Sequence, residues 1–137
     1  LGLHDLKRVH PETGKNSVDP DDPHQADLVR YEAQLREIVA RLQATGARLV
    51  FATTTPVPEG VRPYRAPIDP VNYNRVARRV MGDAGIPVND LYAVALPHLA
   101  ELQNEADVHF NRQGSIALGI AVAYAVRGEL GEGARLR

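Results

Sequence analysis

The apolar positions along the chain change period in a way that separates helices from strands. Leu28, Tyr31, Leu35, Ile38 and Leu42 recur at spacings of three and four, which puts them on one stripe of an α-helix. Glu32 with Arg36 and Glu37 with Arg41 add acid-before-base pairs four apart on the same helix. Gly46 is the predicted stop, because glycine takes the left-handed conformation that closes a helix. Immediately beyond it, Arg48-Leu49-Val50-Phe51-Ala52-Thr53 is a short, mostly apolar run without polar alternation, the pattern of a strand buried on both faces. Residues 53–60 carry Pro56, Pro58 and Gly60 and cannot continue a ladder, so they form a loop at the carboxyl edge of the sheet.

Tyr73, Val76, Ala77, Val80 and Met81 define one face of a second helix over residues 70–84, with Arg75, Arg78 and Arg79 mostly on the other and Gly85 as its stop. Ile86-Pro87-Val88-Asn89 is a short strand, and Asp90 caps a helix over residues 91–103. A last helix over residues 112–130 is expected to turn Ile116, Ile120, Ala123 and Val126 or Arg127 toward the core. Residues 7–25, in contrast, are polar and rich in turn formers such as Asp19-Pro20-Asp21-Asp22-Pro23, and read as a surface loop. Helix, strand, helix, strand, helix, helix with tight joints is the order of an α/β fold with a parallel sheet wrapped on both sides. Two strands, plus a strand end expected at Leu1, are too few to cover the apolar faces of four helices, so further strands upstream are expected. Leu1 is not a methionine and leads straight into Gly2-Leu3-His4-Asp5-Leu6, which gives the same expectation of a chain that continues upstream.

Length and composition narrow this little. The 137 residues suit one α/β domain, and the 44% hydrophobic and 24% charged shares are those of an ordinary globular protein. A net charge of -1 gives no field to attract a polyanion, so nucleic acid is not an expected partner. The absence of cysteine excludes disulfides and cysteine metal sites and fits either side of a bacterial membrane. No run approaches the roughly 20 apolar residues that span a bilayer, so no membrane partner is expected either.

Candidate chemistry gathers near the carboxyl end. In Asp107-Val108-His109-Phe110-Asn111 an acid stands two residues before a histidine, between the last two helices. In extended backbone such residues point the same way, so the carboxylate can hold one ring nitrogen and leave the other free to take a proton. The alternative is a turn-capping aspartate beside a surface histidine. The two serines are poor nucleophiles: Ser17 sits in a polar loop without a glycine-rich elbow, and Ser115 lies inside the last predicted helix. His4 and Asp5 stand at the carboxyl edge of the sheet, where ligands collect in such folds, and Thr55 lies in the loop opening on that edge. Arg62 and Arg65, in the loop beyond, could meet an anionic or sugar substrate or simply be exposed side chains. His10, His24 and His98 read as solvated. A metal site from His4, Asp5, Asp107 and His109 has the ligand types but no established spacing, and none is expected.

Five segments, in order, resemble a bacterial branch of the SGNH/GDSL hydrolases: Gly2-Leu3-His4-Asp5-Leu6-Lys7, Thr54-Thr55-Pro56-Val57-Pro58, Tyr73-Asn74, Val88-Asn89-Asp90-Leu91-Tyr92, and Asp107-Val108-His109-Phe110 with Gly114. The resemblance implies a three-layer α/β/α, flavodoxin-like fold with a five-stranded parallel sheet, of which residues 1–137 form the C-terminal part as one partial domain. It implies a serine esterase that acts on a small or carbohydrate ester without a cofactor. His109 becomes the base and Asp107 its orienting acid; Gly2, His4 and Thr55, at the sheet edge, are read as a substrate-binding rim, with a structural hydrogen bond from His4 and a rigid strand exit at Thr55 as the alternatives. The serine, in a Gly-Asp-Ser segment, and the oxyanion glycine and asparagine are implied upstream, the asparagine immediately before Leu1. The wider family encloses two residues between acid and base where Asp107 and His109 enclose one, which leaves Glu105 as the competing carboxylate.

Overall fold

The computed structural model describes residues 2–131; the strand end expected at Leu1 lies outside them. Helix α1 spans Leu28–Gln43, and its first turn is closed by Asp27, whose carboxylate accepts the Arg30 backbone N–H at 2.8 Å. Its buried stripe is Tyr31, Leu35 and Val39. The expected stripe is therefore rotated at its ends, with Leu28 and Leu42 exposed and Ile38 half-buried. Helix α2 spans Asp69–Asp83 and buries Tyr73, Val76, Ala77, Val80 and Met81, with Arg75, Arg78 and Arg79 outside. The Tyr73 ring packs 5.0 Å from that of Tyr31, and its hydroxyl donates to the Ala26 carbonyl just ahead of α1. Gly46 and Gly85 both take positive φ after their helices, at 74° and 66°.

Strands β1 (Phe51–Ala52) and β2 (Val88–Asn89) pair in parallel, with Phe51 opposite Val88 and Ala52 opposite Asn89. Paired residues share a face and successive ones alternate. Phe51 and Val88 pack into the core formed with α1 and α2. On the opposite face the Asn89 amide donates to the Ala121 carbonyl at 3.3 Å. Ala121 belongs to helix α5 (Arg112–Leu130), so helices cover both faces of the sheet and the three expected layers are present. Burial of the first strand on both faces is not observed: Phe51 is buried, but Ala52, on the face that α5 meets at Asn89, is exposed.

Two further expectations are corrected. The helix over residues 91–103 is three pieces, α3 (Leu91–Ala95), a 3₁₀ turn (Leu96–His98) and α4 (Leu99–Leu102). Pro97 lacks the N–H that would bond back one turn and its ring crowds the preceding turn, which tightens the helix there. The inward face of α5 is also not the one expected. Ile116 and Ile120 are 54% and 53% exposed, and Ala123, Val126 and Arg127 also face out. Gly114 is buried, and Leu118, Ala121 and Ala125 are half-buried along the other side. Glycine decides the rotation: a Cβ on Gly114 would stand 2.3 Å from the Leu102 carbonyl oxygen, so α5 can back closely onto α4 only there.

Candidate active site

The carboxyl ends of the strands are fastened to the elements that follow them. The Thr53 hydroxyl donates to Asp90 at 3.0 Å and accepts the Tyr92 N–H at 2.9 Å, which ties the end of β1 to the cap of α3. One residue on, the Asn74 side chain grips the Thr54 backbone from both sides: it accepts Thr54 N–H and donates to Thr54 O, each at 2.8 Å. Gly2 lies against this point, at φ 99°, where a Cβ would fall 2.1 Å from the Thr54 hydroxyl oxygen. The Gly2 N–H donates to the Asp5 carboxylate at 3.0 Å, and Leu6 N–H closes the turn on Gly2 O at 3.1 Å. His4 is exposed on that turn, and Thr55 is half-buried beside Thr54. Gly2 therefore abuts Thr54, the neighbour of Thr55, and His4 stands exposed on the same turn as Gly2.

Asp107 and His109 lie on a closed loop between α4 and α5. Gln103 and Phe110 form an antiparallel bridge at its neck, Asn104 N–H donates to His109 O at 3.0 Å, and Asn111 N–H donates to Leu102 O at 2.9 Å. Asn111 then caps α5, accepting Gly114 N–H at 3.0 Å while its amide donates to Glu101 O at 2.6 Å. Within this frame Asp107 Oδ1 accepts both the backbone N–H of His109, at 3.1 Å, and ring Nδ1, at 2.7 Å. The ring contact places a proton on Nδ1, which in the neutral tautomer leaves the Nε2 lone pair open, and the side chain is 78% exposed. Glu105 makes no such contact, so the one-residue spacing produces the acid–imidazole pair by itself.

The His109 side chain, with its backbone N–H second, holds the Asp107 carboxyl below its ordinary 3.8. A depressed carboxyl pKa means that the contact is at full strength above the usual aspartate range and is lost as pH falls through the lowered value. Titration of the Asp107 carboxyl carbon by NMR is expected to give a midpoint below 3.8 in the native protein, returning toward the ordinary range in His109→Ala. A native midpoint equal to that of the variant contradicts the contact.

The two loops meet through Gln103, a buried residue that the sequence does not flag. Its Nε2 donates to Pro56 O at 3.2 Å and to Val108 O at 3.1 Å. Sequence reasoning also misses Asp69, which is buried against Arg8 at 3.4 Å and His24 at 3.2 Å. His24 is therefore half-buried with its Nε2 3.2 Å from a buried carboxylate, not a solvated side chain. Arg65 is likewise structural: it is buried and donates to Leu3 O at 2.9 Å and Pro63 O at 3.2 Å. His10 and His98 are exposed. Ser17 accepts the Asp19 N–H at 3.1 Å, and Ser115 is exposed on α5; neither shares a hydrogen bond with His109. Among the described residues no three His, Asp or Glu side chains are grouped to hold a metal ion, and no helix is long and apolar enough to cross a membrane.

No family model matches the sequence, and no curated protein matches it. Among solved structures the chain is similar to a lipase/acylhydrolase from Enterococcus faecalis, with a TM-score of 0.67 and 21% sequence identity. The match covers 81% of this chain and 56% of that one, so this chain spans just over half the length of the structure it resembles. The likeness establishes the α/β fold.

Proposed function

We propose that residues 1–137 are the base-bearing, C-terminal part of an SGNH-type serine ester hydrolase that removes an acyl group, acetyl included, from a carbohydrate or other small ester. The observation that carries this reading is the 2.7 Å contact from Asp107 Oδ1 to His109 Nδ1, with Nε2 left open. The fold shared with an acylhydrolase supports it. His109 Nε2 takes the proton from a serine hydroxyl as that oxygen attacks the ester carbonyl, then returns it to the departing alkoxide. Water, activated by the same nitrogen, releases the acid from the acyl-serine. Asp107 keeps the ring in the required tautomer and stabilises the imidazolium while it lasts. Gly2, His4 and Thr55 form the rim that receives the substrate, and no cofactor enters.

The serine and its oxyanion donors come from polypeptide preceding Leu1 in this reading, because neither Ser17 nor Ser115 is placed to serve His109. Polypeptide extended upstream through a Gly-Asp-Ser segment is expected to hydrolyse a short-chain aryl ester, and residues 1–137 alone to leave it intact. Turnover by residues 1–137 alone would overturn this assignment of the nucleophile.

The outward apolar side of α5, with Ile116, Ile120 and Tyr124 four apart and all more than half exposed, favours a second reading. In it the chain is a non-catalytic α/β module whose α5 face is covered by a partner or a second copy. Polypeptide extended upstream that encodes no Gly-Asp-Ser and hydrolyses no ester is the result that favours the module.

A further inference from the structure

We propose that Gln103 is a positioning residue: its side-chain amide locks the Asp107–His109 loop onto the loop leaving β1 and so fixes where the imidazole stands at the edge of the sheet. The proposal rests on the reading of His109 as the base and extends it to the residue that holds the base in place.

The Asp107–His109 contact is local. It joins residues two apart and orients the ring with respect to its own loop, but it does nothing to place that loop against the sheet. The covalent route from β1 to His109 runs through α2, β2 and the three helical pieces broken at Pro97, so small displacements can accumulate along it. Gln103 spans the gap directly. It is 6% exposed, and Nε2 reaches Pro56 O on one side and Val108 O, between the acid and the base, on the other. Both partners are carbonyl oxygens, which can only accept, so the amide is oriented with its nitrogen toward them. Its backbone is fixed as well, donating to Leu99 O at 2.9 Å and pairing across the loop neck with Phe110.

The other end of the amide has a different character. Gln103 Oε1 is buried and has no hydrogen-bond partner among the described residues. A buried acceptor without a donor is unfavourable, and a methionine of the same length would avoid it. What the amide contributes at this position is the pair of bonds from Nε2, and those bonds have a geometric result: Val108 is drawn toward Pro56, with Val57 of the same loop and Val108 itself both packed on the core. A reacting base must stand within hydrogen-bond reach of the hydroxyl it serves, so a loop free to shift by about 1 Å costs on the order of 10²-fold in rate.

The test compares the protein with Gln103→Met by NMR relaxation. In the unmodified chain the His109 amide is expected to be as ordered as the core, with an order parameter of about 0.85, and in Gln103→Met to fall below about 0.6. Tyr73, Ala77 and Val80 are expected to stay unchanged, and the Nδ1–H tautomer of His109 to persist, because its bond to Asp107 does not involve Gln103. In the upstream-extended hydrolase the same variant is expected to lose about ten- to a hundredfold in kcat with KM within about twofold. An unchanged His109 order parameter, or a loss shared equally by the core, overturns the proposal. Should Gln103→Met fail to fold, the unmodified protein decides: slowly exchanging Gln103 side-chain N–H protons with Overhauser contacts to Pro56 and Val108 support the clamp, and their absence overturns it. Undiminished turnover in His109→Ala would remove the base while leaving these observations on Gln103 untouched, so the two failures are distinguishable.

Discussion

His109→Ala in the upstream-extended polypeptide is expected to lower kcat on a short-chain aryl ester on the order of 10⁴-fold, with little change in KM, because in the proposed mechanism the imidazole acts in the transition state rather than in holding the substrate. Asp107→Asn is expected to approach the same loss for a different reason. An amide nitrogen turned toward Nδ1 would hold that nitrogen as an acceptor and move the ring proton to Nε2, the atom that must accept from the serine. Glu105→Gln serves as the control: Glu105 is exposed and makes no contact with the ring, so the rate is expected to stay within about twofold. Equal losses at Glu105 and Asp107 would reassign the acid, and undiminished turnover in His109→Ala would remove the histidine from the reaction.

Tyr73→Ala is expected to cost about 3–5 kcal/mol in a urea unfolding experiment, the range for deleting a buried aromatic side chain. Tyr73 is 1% exposed, its ring is the one on which Tyr31 and His24 both lean, and its hydroxyl serves the Ala26 carbonyl. Burial raises the pKa of that hydroxyl above the ordinary tyrosine value, with the nearby Asp69 adding to the shift, so the group stays protonated and donating throughout the useful pH range. Tyr73→Phe keeps the ring and removes only the donor, and is expected to cost about 1 kcal/mol. A near-neutral Tyr73→Ala would mean that α1 and α2 do not share the core described. The neighbouring Asn74 carries this packing to the site, since one turn of α2 both buries Tyr73 and grips Thr54 at the strand end.

Much of this architecture was legible in the sequence because periodicity is a local signal. The α2 face, the two strands, the Asp90 cap and the bounds of α5 all follow from residue spacing, and the Asp107–His109 contact follows from two side chains two apart in a loop. The features that sequence reasoning misplaced depend on what lies opposite. Ile116 and Ile120 have the right spacing for a buried stripe, yet a glycine determines which side of α5 can approach α4. His24 and Arg65 look like solvated loop residues until Asp69 and the Leu3 carbonyl are brought beside them by residues far away in the chain. Gln103 carries no motif at all; its role depends on two carbonyl oxygens, one of them 47 positions distant. The Pro97 break is also missed when residues 91–103 are read as one helix, although proline's missing N–H is a local signal for it.

In the proposed mechanism His109 serves a hydroxyl contributed from outside residues 1–137. The most direct test is to treat the upstream-extended polypeptide with a fluorophosphonate, which reacts with activated serines, and to map the modified residue by mass spectrometry. The account predicts one modified serine, upstream of Leu1, whose labelling disappears in His109→Ala. Modification at Ser17 or Ser115, or labelling that persists undiminished without the imidazole, would contradict it.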